Sequence, residues 1–142
     1  MRPGATVAQV LEAASARLAA AGIDTPRADA EWLLAGLLGA RRGALGLLLA
    51  QEPEAELVTR YEAAIERRRR REPLQRILGW EGFRGLSFRL SPDVLVPRPE
   101  TEVLVDLALG LLPTPRAGRR LIVVDVGTGS GCVACAIAAE RA

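Results

Sequence analysis

Apolar residues recur at helical spacing through the first half of the chain, and that texture changes twice before the end. Thr6 and Gln9 form a capping-box pair, and Val7, Val10, Leu11, Ala14 and Leu18 follow at intervals of three and four. This predicts a helix closed by Gly22. Thr25 and Pro26 set a second cap with proline in the first turn; Trp32, Leu33, Leu34, Leu37 and Leu38 supply that helix's apolar face, and Gly39 ends it. Residues 45–50 predict a short apolar helix. Pro53 starts a longer one that runs through Leu57, Tyr61, Ala64 and Ile65 into five consecutive arginines at 67–71. These segments predict a small helical bundle over residues 1–72.

Pro73 breaks the helical pattern. Residues 74–90 alternate instead, with Ile77, Trp80 and Phe83 before a glycine-rich turn and Leu86, Phe88 and Leu90 after it, which predicts a β-hairpin connector over 73–92. In SPDVLVPRPETE, residues 91–102, Pro97 and Pro99 exclude regular structure and fix an extended path suited to the wall of a site. Residues 100–112 predict an amphipathic helix ended by Gly110 and Pro113, and 114–120 a loop. The loop leads into LIVVDVGTGSG, residues 121–131, the stretch around which the second half is organised. An unbroken aliphatic run there ends in Asp125, glycines follow at Gly127, Gly129 and Gly131, and 132–142 are small and helix-compatible. The unit reads strand, loop, helix: a buried strand emptying into a tight turn, with a helix N-terminus directed at the occupant of the loop. Such a corner receives an anionic or zwitterionic ligand.

At 142 residues the chain has room for one ordinary domain or two small ones, and 49% hydrophobic with 25% charged residues is a globular composition. A net charge of +2 does not argue for nucleic acid by itself. Every basic residue is arginine, and histidine, asparagine and lysine are missing, which suggests coding bias as much as function. Residues 1–5 lack the charged start and apolar core of a signal peptide. The most membrane-like run, 32–50, carries Arg41 and Arg42 at its centre, costly in lipid, so a cytoplasmic protein without a membrane partner is expected. The arginines at 67–71 end a helix, where the macrodipole favours positive charge, and no aromatic residues interleave them. They read as a solvated face, with no direct nucleic-acid contact expected. Cys132 and Cys135 form a Cys-x-x-Cys, but a zinc site lacks further ligands; packing of a helix face and a thioredoxin-like pair are the readings open to it.

The spacing of the corner separates its ligands. A phosphate-binding P-loop requires a lysine, which the chain lacks. The dinucleotide fingerprint would place its third glycine at position 132, which is Cys132; here it comes one residue early, at Gly131. Asp125, Gly127, Gly129 and Gly131 resemble the first motif of Rossmann-like methyltransferases that bind S-adenosylmethionine, with a dinucleotide enzyme and a merely structural turn as the alternatives.

A longer resemblance spans 73–131. PLQRILGWEGFRGLSFRLSPDVLVPRPETEVLV followed by VVDVGTGSG is similar to the HemK/PrmC family, protein methyltransferases that modify a glutamine side chain, and PRPETE at 97–102 is the more specific of its motifs. The resemblance implies an α/β fold: an N-terminal helical bundle, a β-hairpin connector, and the first strand-loop-helix of a Rossmann-like methyltransferase sheet, starting near residue 93. It implies methyl transfer from S-adenosylmethionine to the glutamine amide of the Gly-Gly-Gln motif in class I peptide chain release factors. A sister group acting on a ribosomal protein usually has Arg-Ser-Pro where this chain has Arg98, Pro99 and Glu100. It further implies that Gly127, Thr128, Gly129, Ser130 and Gly131 let backbone approach the cofactor, that Asp125 orders its amino group, that Thr101 lines the pocket, and that Phe83 lies near the substrate glutamine. For Thr101 and Phe83, plain packing is the competing role. The bundle is then the docking surface for the release factor.

The chain departs from the family pattern in two respects, one being that the acidic residue expected to hold the cofactor ribose, at the end of the next strand, is missing. The family's Asn-Pro-Pro-Tyr motif, which holds the glutamine, cannot occur in a sequence without asparagine, so no catalytic residue is expected within these 142 positions. The expectation is therefore the N-terminal portion of a longer enzyme, whose residues beyond about Pro92 do not form a stable isolated domain. A non-catalytic protein-binding module is the rival from a different class.

Overall fold

The computed structural model describes residues 4–113 and 121–141, so the loop read at 114–120 lies outside the described residues. The chain divides into two compact units, Met1–Leu78 and Gly79–Ala142.

The first unit is helical. Helix α1 spans Val7–Ala20, α2 Pro26–Leu38, α3 Ala55–Arg69 and α4 Leu74–Leu78. The capping box forms as its spacing requires: the Thr6 amide donates to Gln9 Oε1 at 2.9 Å and the Gln9 amide to Thr6 Oγ1 at 3.4 Å. Gly39 closes α2 in the left-handed region at φ 63°. Leu11 and Leu18 from α1, Leu33 and Leu34 from α2, and Tyr61 and Ile65 from α3 are at most 1% exposed, and each such side chain contributes about 1.5–3 kcal/mol on burial. The Tyr61 hydroxyl donates to the Ala30 carbonyl at 3.0 Å inside this core, and burial pushes its pKa well above the ordinary phenol value.

Four expectations for this unit are corrected. Thr25 precedes α2 but makes no side-chain cap; its hydroxyl donates instead to Asp29 Oδ1 at 2.9 Å. The short apolar helix expected at 45–50 is a 3₁₀ turn at Arg42–Leu47, where Ala44, Leu48 and Gln51 donate to carbonyls three residues back. Residues 74–78, read as the start of alternation, form α4, because two turn bonds to the Pro73 carbonyl initiate a helix there. Gly36 makes room for it: a Cβ at that position would lie 2.5 Å from Leu78 Cδ2.

The arginine run needs the fourth correction at Arg68, which is half-buried; Arg67, Arg69, Arg70 and Arg71 are exposed as read, and also make ion pairs and hydrogen bonds. Arg67 grips the Glu72 carboxylate through two nitrogens, Arg69 and Arg70 reach Glu66, and Arg71 donates to the Ala21 and Gly22 carbonyls. Arg68 Nε donates to Asp29 Oδ2 at 2.6 Å. Asp29 is 5% exposed, the one buried charged side chain among the described residues. The run sits where the end of α3 passes the end of α1 and the start of α2, so arginine is the residue long and forked enough to tie them.

The second unit opens with an antiparallel hairpin, β1 at Trp80–Phe83 and β2 at Leu86–Arg89, paired Trp80 with Arg89 and Phe83 with Leu86. The two-residue turn, Arg84–Gly85, has φ of 48° and 75°, the positive pair that a tight hairpin of this twist needs. Period two puts Phe83, Leu86 and Phe88 on the covered face. Trp80 and Phe83 are separated by an odd number of positions and lie on opposite faces, and Trp80 is 36% exposed. Helix α5 spans Glu100–Leu111 and contains Gly110 instead of ending there. Helix α6 spans Cys132–Glu140. A small apolar cluster of Phe83, Val105, Cys132, Ala136 and Ile137 holds these elements.

Residues 121–125 correct the strand reading. They run without a ladder partner among the described residues, whose single sheet is the hairpin. Ile122 and Val124 are 90% and 78% exposed. A strand exists through its neighbours, and an aliphatic sequence alone does not supply them.

Candidate functional site

The glycine corner is built by backbone conformation. Gly127, Gly129 and Gly131 have φ of 78°, 54° and 78°, a region that costs an L-residue about 1–2 kcal/mol. A Cβ at Gly127 would meet nothing within 4 Å, so open space stands where a side chain would be. Thr128 Oγ1 donates to Asp125 Oδ2 at 3.0 Å, clasping the two ends of the turn, and the Gly131 amide donates to the Thr128 carbonyl at 2.8 Å. Asp125, Ser130 and Gly131 are half-buried, whereas Gly127, Thr128 and Gly129 are exposed.

Gly131 is the N-cap of α6, and no side chain caps that helix. Its first-turn amides carry the partial positive charge of the macrodipole and face the turn. A carboxylate or polar oxygen fits beside them, and the Asp125 carboxylate, within the same turn, suits an ammonium group. Open glycine edges, uncapped amides and one carboxylate together match an amino-acid-like ligand end, so the donor set fits the methionine moiety of S-adenosylmethionine.

The other two residues singled out lie on separate elements. Thr101 is half-buried in the first turn of α5, where its amide donates to the Arg98 carbonyl at 2.9 Å and fixes the exit from the proline segment. Phe83 is 2% exposed and packs edge-on to Phe88, ring centroids 6.3 Å apart. Cys132 is buried in the apolar cluster and Cys135 exposed, both as free thiols. Among the described residues no group of three or more His, Cys, Asp or Glu could hold a metal ion, and no helix is long and apolar enough to cross a membrane.

Arg84 is the residue that sequence reasoning missed. From the hairpin turn its guanidinium donates to both oxygens of Glu140 at 2.5 and 2.9 Å and to Asp106 Oδ1 at 2.6 Å, while its amide donates to Glu102 Oε1 at 2.9 Å. Glu140 at the end of α6 is thereby held below the usual carboxylate range, and Arg84 is pushed above its ordinary value by the same bonds. A lone Arg before a glycine carries no periodic signal that could have announced this.

A helical domain followed by a hairpin, two further helices and a glycine corner defines a protein of two compact units. The profile of the PrmC N-terminal domain matches residues 9–79, half of the chain, and the protein belongs to that family. Release factor glutamine methyltransferase from Mycolicibacterium smegmatis is 40% identical over 131 residues, 92% of this chain and 44% of the relative. The proteins of the same name from Koribacter versatilis and Streptomyces coelicolor are 43% and 44% identical, over 95% and 89% of this chain and 47% and 43% of theirs. The chain thus spans a little under half the length of these relatives.

Proposed function

We propose that the chain forms the docking domain, connector and cofactor corner of an S-adenosylmethionine-dependent methyltransferase acting on the Gly-Gly-Gln glutamine of class I release factors, in the cytoplasm. Residues 1–72 dock the substrate protein, 73–92 connect, and residues from 93 onward begin a Rossmann-like methyltransferase domain in which 121–124 become a strand only when paired with further strands of the sheet. The observation that carries the reading is the corner itself: three glycines with positive φ, an Asp125–Thr128 clasp and an uncapped α6, in a chain of this family.

S-adenosylmethionine supplies an electrophilic methyl group on a sulfonium. The amide nitrogen that accepts it is a poor nucleophile, its lone pair delocalised into the carbonyl, so positioning and oriented hydrogen bonds do most of the work. Gly127–Gly131 bring backbone against the methionine end, Asp125 orders its ammonium, and Ser130 and the α6 amides face its carboxylate. Thr101 lines the pocket and Phe83 backs the wall facing the glutamine. In the helical unit a groove of about 470 Å³, floored by Val7, Leu37, Leu48 and Leu57, supports a docking role for that unit.

Calorimetric titration with S-adenosylmethionine, with NADH as control, tests the corner; binding of the first alone upholds the reading, binding of NADH alone would turn the assignment to a dinucleotide enzyme, and binding of neither would leave docking as the activity of this chain. Pull-down of a class I release factor tests docking. Retention of the release factor without any cofactor binding would favour the second reading, a non-catalytic interaction module, for which the self-contained core of the helical unit speaks.

A further inference from the structure

We propose that Arg84 is a positioning residue that sets the angle of α6, and with it the glycine corner, against the start of α5; its functional meaning rests on the cofactor reading above. Three elements carry the candidate site: the hairpin with Phe83, α5 with Thr101 in its first turn, and the corner that opens α6. Arg84 is the residue that joins them. Its backbone forms the hairpin turn, its amide and Nη1 hold Glu102 and Asp106 of α5, and its Nε and Nη2 grip Glu140 of α6.

The apolar contact between these elements is small. Val105 is the one buried residue of α5; of the buried residues of α6 packed with it, Cys132 and Ala136 are short and Ile137 alone is long, while Ala108, Leu109, Leu112 and Val133 are only partly buried around them. Such a contact resists separation better than it resists rotation, because small side chains interlock little. The Arg141 guanidinium adds a single bond to the Leu109 carbonyl, a tether without a fork to fix direction. The bidentate pair with Glu140 does fix direction, since two parallel N–H···O bonds constrain the plane of both groups. Helix α6 is about 13 Å long, so a tilt of about 10° at Glu140 moves the glycine corner by about 2 Å. Displacements of about 1 Å already weaken catalytic geometry by about a hundredfold.

The backbone at position 84 agrees with this assignment. Its φ of 48° lies where glycine or asparagine is the easy choice, yet arginine occupies it. The strain is tolerated where the side chain makes four bonds to two helices.

The test uses amide resonances of the whole 142-residue chain. Glu140→Gln keeps the shape of the α6 end and weakens the pair without touching the hairpin, whereas Arg84→Asn removes the clamp but suits the left-handed turn. Both variants are expected to stay folded and to shift the Gly127, Gly129 and Gly131 amides, although Glu140 lies about 13 Å from them along the helix. Arg84→Lys, charged but unforked, is expected to move them partway along the same line. Affinity for S-adenosylmethionine is expected to fall about tenfold in parallel. Folded variants with unmoved glycine resonances would overturn the proposal and leave Arg84 a stabilising contact only. Moved glycine resonances in a chain that never binds S-adenosylmethionine would uphold the positioning and overturn the cofactor reading instead.

Discussion

The two units spend similar side chains differently. In the helical unit, leucines from three helices meet in one core, and Leu38 and Leu47 are the large apolar residues left exposed among those described. In the second unit the exposed set includes Leu95, Val103, Leu104, Leu107 and Leu111, and the whole run from Leu121 to Val124. Amphipathic helices pack on one another wherever their stripes meet, so three of them close a core locally. A strand with aliphatic side chains on both faces needs cover on both and partners at its edges. The helical unit is therefore held by apolar volume, and the second unit by a few polar clamps around a thin cluster.

The sharpest way to break that contrast is to unpair the buried charge. Arg68→Met leaves the Asp29 carboxylate buried with the Thr25 hydroxyl alone, and is expected to cost the helical unit about 3–5 kcal/mol. Denaturation followed by Trp32 fluorescence in a Trp80→Phe background reads that unit alone. Next comes volume: Leu33→Ala is expected to cost about 2–5 kcal/mol in the same assay. Val105→Ala, with fewer neighbours to lose, is expected to cost only about 1–2 kcal/mol, read by amide exchange in α5 and α6. Equal costs for the two would erase the distinction.

A backbone change comes third. Gly129→Ala places a Cβ at φ 54° and is expected to destabilise the corner by about 1–2 kcal/mol, visible as faster exchange of the Gly131 amide but not in the helical unit. Acid has the smallest effect. Hydrogen bonds from Arg67 and Arg84 hold Glu72 and Glu140 below the ordinary carboxylate value near 4.5. A depressed folded-state pKa stabilises above that value, and the contribution is lost as pH falls through the lowered one. Titration from pH 6 to about 2.5 is expected to loosen the end of α6 while the Leu and Ile core persists, monitored by amide exchange of each unit.

What was legible follows the same division. Periodicity exposed α1 to α3 because their partners are also helices nearby in the chain; the Thr6–Gln9 box and the Gly39 cap are local chemistry and formed as read. The hairpin was legible from alternation and a glycine, whereas its start was not, because residues 74–78 turn into a helix on the Pro73 carbonyl before the alternation begins. The arginine run looked like a charge block because its partners, Asp29 and the carbonyls of Ala21 and Gly22, lie some 40 to 50 residues earlier. The glycines of the corner adopt the conformations their spacing suggested, whereas the strand before them depends on neighbours that periodicity cannot provide.

The way the helical unit ties off its own start has a consequence for synthesis. The Val7 and Ala8 amides donate to the Gln51 and Leu49 carbonyls, and the arginines at 67–71 reach back to Ala21 and Asp29, so every contact of the core is available once Leu78 has left the ribosome. Translation adds about 5–20 residues per second, whereas helical bundles rich in local contacts fold in microseconds to milliseconds. The aliphatic run at 121–126 thus emerges seconds later, when the core of the helical unit is already closed. On these timescales, mispairing between the two halves of the nascent chain is expected to be limited by the order in which they emerge.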